Sequence, residues 1–110
     1  MAPEIETMPI WVDFAGGLQT LFSNKPNHMI SLPIFNPSDF SPANVGFLIS
    51  HLVKNHLKHP QTEFFVQEDG HLTPGILVLI NDVDWELEGE EEYELKPGDN
   101  VIFVSTMHGG

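Results

Sequence analysis

The residues best suited to chemistry stand at the end of the chain, in Ser105-Thr106-Met107-His108-Gly109-Gly110. Glycine has no side chain and accepts almost any backbone conformation. A terminal Gly-Gly can therefore thread a groove too narrow for other residues and bring its carboxylate to a buried reagent. An α-carboxyl group titrates near about 3.5, so it is ionised at neutral pH and is a poor electrophile. It must first be activated, for example as an acyl-adenylate, before a sulfur or an amine can attack it. A strand leading almost directly into the diglycine makes this reading stronger than the alternative of an incidental Gly-Gly ending. The working group is then the carboxylate of Gly110.

The rest of the chain offers few competitors. His51, His56 and His59 crowd the end of one helical segment, but their spacing puts them only partly on one face, whereas a metal needs convergent ligands. Helix capping and a solvated face account for them better, and no metal is expected. Glu86, Glu88, Glu90, Glu91, Glu92 and Glu94 form an acidic run without the spacing of a calcium loop. Gly16-Gly17 lacks the spacing of a phosphate loop. No Ser/His/Asp arrangement is suggested locally, so no catalytic residues are assigned and the chain reads as a protein acted on by an enzyme.

The chain has 110 residues with 41% hydrophobic content, which argues for one globular domain. The absence of cysteine excludes disulfides, thiol nucleophiles and Cys-based zinc sites. Four lysines and no arginine face sixteen acidic residues, a net charge of −12. That opposes direct nucleic-acid binding, which depends on Lys and Arg at phosphates, and suits either simple solubility or docking on a basic protein surface. No basic, apolar leader and no membrane-length apolar run is present. A cytoplasmic location is expected, with the nucleus as a second compartment left open.

Several elements must position the tail. Residues 1–7 read as a loose leader. Met8 to Phe14 alternates, with Ile10, Val12 and Phe14 on one face and Trp11 exposed on the other, as in a half-buried strand. Leu18, Leu21 and Phe22 pack inward between two turn clusters, and His28 to Leu32 returns antiparallel to the first strand. Ser41-Pro42 is a helix start, with Ser as N-cap and Pro at the first helical position. Val45, Leu48, Ile49, Leu52, Val53 and Leu57 follow with helical spacing, and Pro60 stops the helix. Glu63 to Gln67 is a short strand or an extended anchor. Ile76 to Ile80 is a buried strand, Trp85-Glu86-Leu87 starts a short returning strand, and Trp85 is a packing residue. Lys96-Pro97-Gly98-Asp99 turns the chain into Val101 to Val104, a strand that reads as buried on both faces. The order predicts an α+β fold, with a main helix covering one face of one mixed sheet. The domain spans 1–106, and 107–110 is a flexible tail.

On two segments the sequence resembles the ubiquitin-related modifiers of eukaryotes that double as sulfur carriers. They are Gly75-Ile76-Leu77-Val78-Leu79-Ile80-Asn81-Asp82-Val83-Asp84-Trp85-Glu86-Leu87 and Val101 to Gly110. The bacterial sulfur carriers of molybdopterin and thiamine synthesis are similar more distantly, sharing the terminal Gly-Gly. The resemblance implies a ubiquitin-like β-grasp fold. It also implies an ATP-using activating enzyme with a rhodanese-like domain, which adenylates Gly110 and converts it, with a persulfide donor, to a thiocarboxylate. Thr106, Met107, His108 and Gly109 would be the stem that this enzyme recognises. The implied destinations are 2-thiolation of the wobble uridine of cytosolic tRNAs, through tRNA thiolation enzymes, and isopeptide conjugation to lysines of target proteins. Ubiquitin's tail carries arginines before its diglycine; this chain has none, which sets it apart from the ubiquitin enzymes. Two alternatives remain at this point: a passive ubiquitin-like binding module, and the small subunit of a molybdopterin-type synthase.

Overall fold

The computed structural model describes residues 5–106, and its last strand lies in the middle of the sheet. The strands are β1 (Thr7–Ala15), β2 (Asn27–Pro33), β3 (Ile76–Ile80), β4 (Val83–Asp84) and β5 (Asn100–Ser105). They form one sheet in the order β2-β1-β5-β3-β4. β1 and β2 are an antiparallel hairpin, β5 runs parallel to β1, and β3 is antiparallel to both β5 and β4. The one α-helix among the described residues, α1 (Val45–Asn55), lies across one face of the sheet.

That face is apolar because strand side chains alternate. Ile10, Val12 and Phe14 of β1, Ile30 and Leu32 of β2, Val78 and Ile80 of β3, and Val101 and Phe103 of β5 are buried beneath Val45, Leu48, Ile49 and Leu52 of α1. At one end of this core, four phenylalanines meet. Phe14 stacks on Phe22 with ring centroids 3.9 Å apart, Phe65 meets Phe22 edge-on at 5.2 Å, and Phe103 completes the group 5.4 Å from Phe65. These contacts pin the 3-10 turn Leu18–Leu21 and the segment around Phe65 to the strand ends.

The structure corrects several expectations. β5 is buried on one face only: Ile102 and Val104 are half-buried on the outer side, because no second layer covers it. The helix is capped by Asn44, whose side-chain oxygen accepts from Phe47 N–H at 2.8 Å, and not by Ser41. Residues 42–44 are held extended instead. Pro42 bridges Phe35, Ala43 N–H donates to Ile34, and Val45 N–H donates to the Tyr93 carbonyl. Helical structure ends at Asn55, ahead of Pro60, where Lys58 N–H bonds the Leu21 carbonyl. Glu63 to Gln67 is not a strand: Thr62–Phe64 is a 3-10 turn that delivers Phe65 into the core. The short return is Val83–Asp84, and Trp85–Leu87 is a 3-10 turn capped by Asp84. Trp85 packs against the core as expected. At the other end of the chain, ordered structure starts before Met8: Thr7 pairs with Pro33, and the Glu6 carbonyl accepts from Ile34 N–H.

The start of β5 is fixed by one buried acid. Asp99 accepts hydrogen bonds from Asn81 Nδ2 at 3.0 Å, from the Tyr93 hydroxyl at 3.1 Å and from Lys96 N–H at 2.9 Å. Burial, then the bond to Asp99, pushes the Tyr93 hydroxyl above its ordinary pKa. The ladder continues across the strands. Asn81 Oδ1 accepts from Asn100 N–H, Asn100 Nδ2 donates to Asp13, and Asn27 Nδ2 donates to Asp13 at 2.7 Å. Removing Asp99 strands several donors in a low-dielectric site. Asp99→Ala is expected to lower unfolding stability by roughly 2–4 kcal/mol. Urea unfolding followed by Trp fluorescence measures this; a loss below that of an ordinary surface substitution would show the ladder to be ornamental.

Candidate functional site: the exit of the C-terminal strand

The site follows from where β5 ends. Thr106 directs both its N–H (2.8 Å) and its Oγ1 hydroxyl (2.6 Å) onto one acceptor, the carbonyl of Gly75. Gly75 immediately precedes β3 and has φ of 96°, a left-handed conformation that suits glycine. On the other side, the β1–β2 connection crosses the β5 backbone so closely that a Cβ on Gly16 would collide with the Ser105 carbonyl oxygen. Two glycines thus clasp the last described residues. Thr106, expected both as the last residue of the domain and as the first of the stem that an activating enzyme recognises, is fixed to the domain by these bonds. Met107, His108, Gly109 and Gly110 lie outside the described residues.

Two apolar surfaces adjoin β5, one along the outer face of the sheet and one beside its exit. On the outer face of the sheet, Trp11 pairs with Met29, Leu77 with Val104 and Leu79 with Ile102. Trp11 and Met29 are each 51% exposed, as the strand pattern predicted for Trp11. On the core side, a groove of about 340 Å³ opens beside Ser105, between the Leu18–Leu21 turn and the Thr62–Phe64 turn.

The histidines do not converge as ligands. His59 Nδ1 accepts from Gln61 N–H at 3.1 Å, and His51 Nδ1 faces Asn55 Nδ2 at 3.2 Å. Among the described residues no group of three or more His, Cys, Asp or Glu is placed to hold a metal ion. The acidic run folds into the 3-10 turn Glu90–Glu92 and packs on the first turn of α1, where Gly46 lets Glu91 approach. The Glu91 carboxylate lies 3.9 Å from His71 Nε2, and Lys54 stands in the last turn of α1, where the helix dipole favours a cation.

Sequence reasoning placed the tail but missed its clasp. Gly16-Gly17 read only as a turn, and Gly75 only as loop punctuation. A close backbone approach between residues as far apart in sequence as Gly16 and Ser105 leaves no local signal beyond the glycine itself.

A mixed sheet with β5 central, a single helix across one face and a last strand leading to the C-terminal residues defines a ubiquitin-like β-grasp protein. The solution structure of Urm1 from Trypanosoma brucei has this fold, with a TM-score of 0.75 and 34% identity over 100% of both chains. A chain of the crystal structure of the Amycolatopsis orientalis BexX/CysO complex matches with a TM-score of 0.65 at 23% identity, covering 92% of this chain and 99% of that one, which is a likeness of fold. In sequence, the family model Urm1 (Ubiquitin related modifier) matches residues 9–110. Ubiquitin-related modifier 1 of Chaetomium thermophilum is 54% identical over 107 residues, covering 97% of this chain and 96% of that protein. The chain belongs to the Urm1 family of ubiquitin-related modifiers, proteins that are not themselves catalysts.

Two predictions test the clasp and its surroundings. Gly16 and Gly17 both have positive φ, 69° and 99°, but a Cβ on Gly17 meets open space. Gly16→Ala should therefore be less stable than Gly17→Ala, by roughly 1–3 kcal/mol, and should speed amide exchange at Thr106; equal stabilities would remove the clasp. The second concerns pH. Burial, and then the neighbouring His56, lowers the His51 pKa; burial, then His28 and Lys58, lowers that of His56. The unfolded chain then binds more protons than the fold. The contribution of these rings is full above the ordinary imidazole value of about 6.5 and is lost as pH falls through the lowered folded values. Urea midpoints should fall over that range, and His56→Asn should flatten the slope; an unchanged slope would locate the dependence elsewhere.

Proposed function

We propose that this protein is a sulfur carrier and protein modifier whose Gly110 carboxylate is the group that reacts. The observation that carries the proposal is the fixed exit of β5, in a member of the Urm1 family whose match extends through residue 110. The domain holds the chain rigidly as far as Thr106 and presents residues 107–110 beyond it for another protein to enclose.

The chemistry is supplied by that other protein, an activating enzyme with a rhodanese-like domain. A carboxylate oxygen of Gly110 attacks the α-phosphorus of ATP, and pyrophosphate leaves. The terminal sulfur of an enzyme persulfide attacks the acyl carbon, and AMP leaves. A thiol then cleaves the resulting acyl disulfide, retaining the other sulfur in a new disulfide and releasing the tail as a thiocarboxylate. That group is an ionised, soft sulfur nucleophile. It donates sulfur, through tRNA thiolation enzymes, to the wobble uridine of cytosolic tRNAs. An activated Gly110 acyl group can also be attacked by a lysine amine of a target protein to form an isopeptide bond. The protein binds no cofactor itself, and Thr106 to Gly109 serve as the segment the enzyme reads. It works in the cytoplasm, with the nucleus as a second compartment.

A passive binding module is the second reading, favoured by the exposed outer face around Trp11 and Met29. Deletion of Gly110 separates the two. Incubation with the activating enzyme, ATP and a sulfur donor, followed by intact mass, should show one oxygen-for-sulfur exchange in the full chain and none in the deleted form, with equal melting temperatures. A full chain that never gains sulfur overturns the carrier reading, and a deleted form that still supports tRNA thiolation in cells favours the passive module.

A further inference from the structure

The core-side groove beside β5 is unused by the chemistry above. Gly16, Leu18, Leu21, Phe64, Pro74 and Ile76 line it, and Ser105 forms its rim. No charged side chain is among its lining residues, in a chain of net charge −12. Phe64 is 52% exposed although its neighbour Phe65 is fully buried. It is not displayed by a loose loop. Phe65 N–H bonds the Thr62 carbonyl, Thr73 N–H bonds the Phe65 carbonyl, and the Thr73 hydroxyl donates to the Glu63 carbonyl at 2.6 Å. A large aromatic is thus held half in water beside an apolar cleft, the arrangement of a contact surface.

Charge is placed unevenly around it. Of only four lysines, two adjoin the Leu21 wall: Lys58 N–H bonds the Leu21 carbonyl, and Lys25 N–H bonds that of Phe22. The His59 ring lies 6.2 Å from that of Phe64. The opposite rim, toward Thr73 and Pro74, carries Glu63, Glu68 and Asp69. An incoming segment therefore meets an apolar slot with a basic flank on one side and an acidic flank on the other, which fixes its direction as well as its place.

We propose that this groove receives one apolar side chain of an extended segment of the activating enzyme, with a carboxylate of that segment beside Lys58. The inference rests on the reading of Gly110 as the activated group. Its occupant follows from continuity: Ser105 lines the groove and Thr106 is pinned next to it, so a protein that takes up residues 107–110 is brought beside the groove. The enzyme then grips the domain at a fixed distance from the tail, and the grip adds affinity without touching the reacting carboxylate.

Phe64→Ala and Lys58→Glu test the proposal, because both side chains are exposed and neither belongs to the tail. Both variants should melt within a few degrees of the parent protein. Steady-state adenylation should show KM for the carrier raised about tenfold by Phe64→Ala, the scale of one lost apolar anchor, with kcat retained. Lys58→Glu should raise KM as well and weaken its dependence on salt. Calorimetric binding to the enzyme without ATP gives the same answer independently of turnover: weakened binding of both variants supports the groove, and parent-like binding overturns it. A parent protein that binds but is never adenylated overturns the function and leaves the groove to be judged by binding alone. In the free protein, Met107→Gly should leave the methyl resonances of Leu18, Leu21 and Ile76 in place; shifted resonances would assign the groove to the chain's own tail and overturn the proposal. Concentration-dependent sedimentation abolished by Phe64→Ala would assign it to a second copy, with the same consequence.

Discussion

β5 is paired on both sides, and nearly everything else in the molecule follows from that. It lies parallel to β1, with Val12 opposite Val101 and Phe14 opposite Phe103, and antiparallel to β3, with Val78 opposite Phe103. A parallel pair requires the chain to cross from one end of the sheet to the other, and α1 with the segments after it makes that crossing while covering the apolar face. The strand is tied at both ends by different means. Polar bonds through Asp99 and Asn100 hold its beginning, where the sheet meets water. Close backbone approach at Gly16, where a side chain would collide with Ser105, and the bonds of Thr106 to the Gly75 carbonyl hold its end.

The same geometry distributes charge. The Glu90–Glu92 turn sits against the start of α1, while Lys54 stands in its last turn and Lys58 beyond it. Lys54 lies at the end of the helix dipole that favours a cation. In a strongly acidic protein, Lys58 thus stands beside the Leu21 wall of the groove next to the exit of β5.

Legibility in the sequence tracked the range of the interaction involved. The alternation of Ile10, Val12 and Phe14 and the helical spacing of Leu48, Ile49 and Leu52 record local geometry, and those elements were read correctly. Ser41-Pro42 carries a sound local helix-start signal, yet Asn44 caps the helix, because Ala43 and Val45 are committed to bonds with Ile34 and Tyr93. Tertiary pairing overrode a capping preference worth about 1 kcal/mol. Val101 to Val104 looked buried on both faces because a short apolar run does not reveal whether a second layer exists. At the site, the pairing of Thr106 with Gly75 was not legible, because the acceptor is thirty-one positions away.

Fixing Thr106 changes what the tail asks of its partner. An enzyme that binds an extended terminus must order each residue it encloses, at roughly 1–2 kcal/mol of backbone entropy apiece. Had the last strand frayed from Ser105, two further residues would have needed ordering in every partner's active site. The two hydrogen bonds onto Gly75 meet that cost during folding, once, and the saving recurs with each enzyme that takes the tail. The clasp therefore acts through preorganisation: Gly16 leaves room for the Ser105 backbone, and Gly75 takes the left-handed conformation at the carbonyl that receives Thr106.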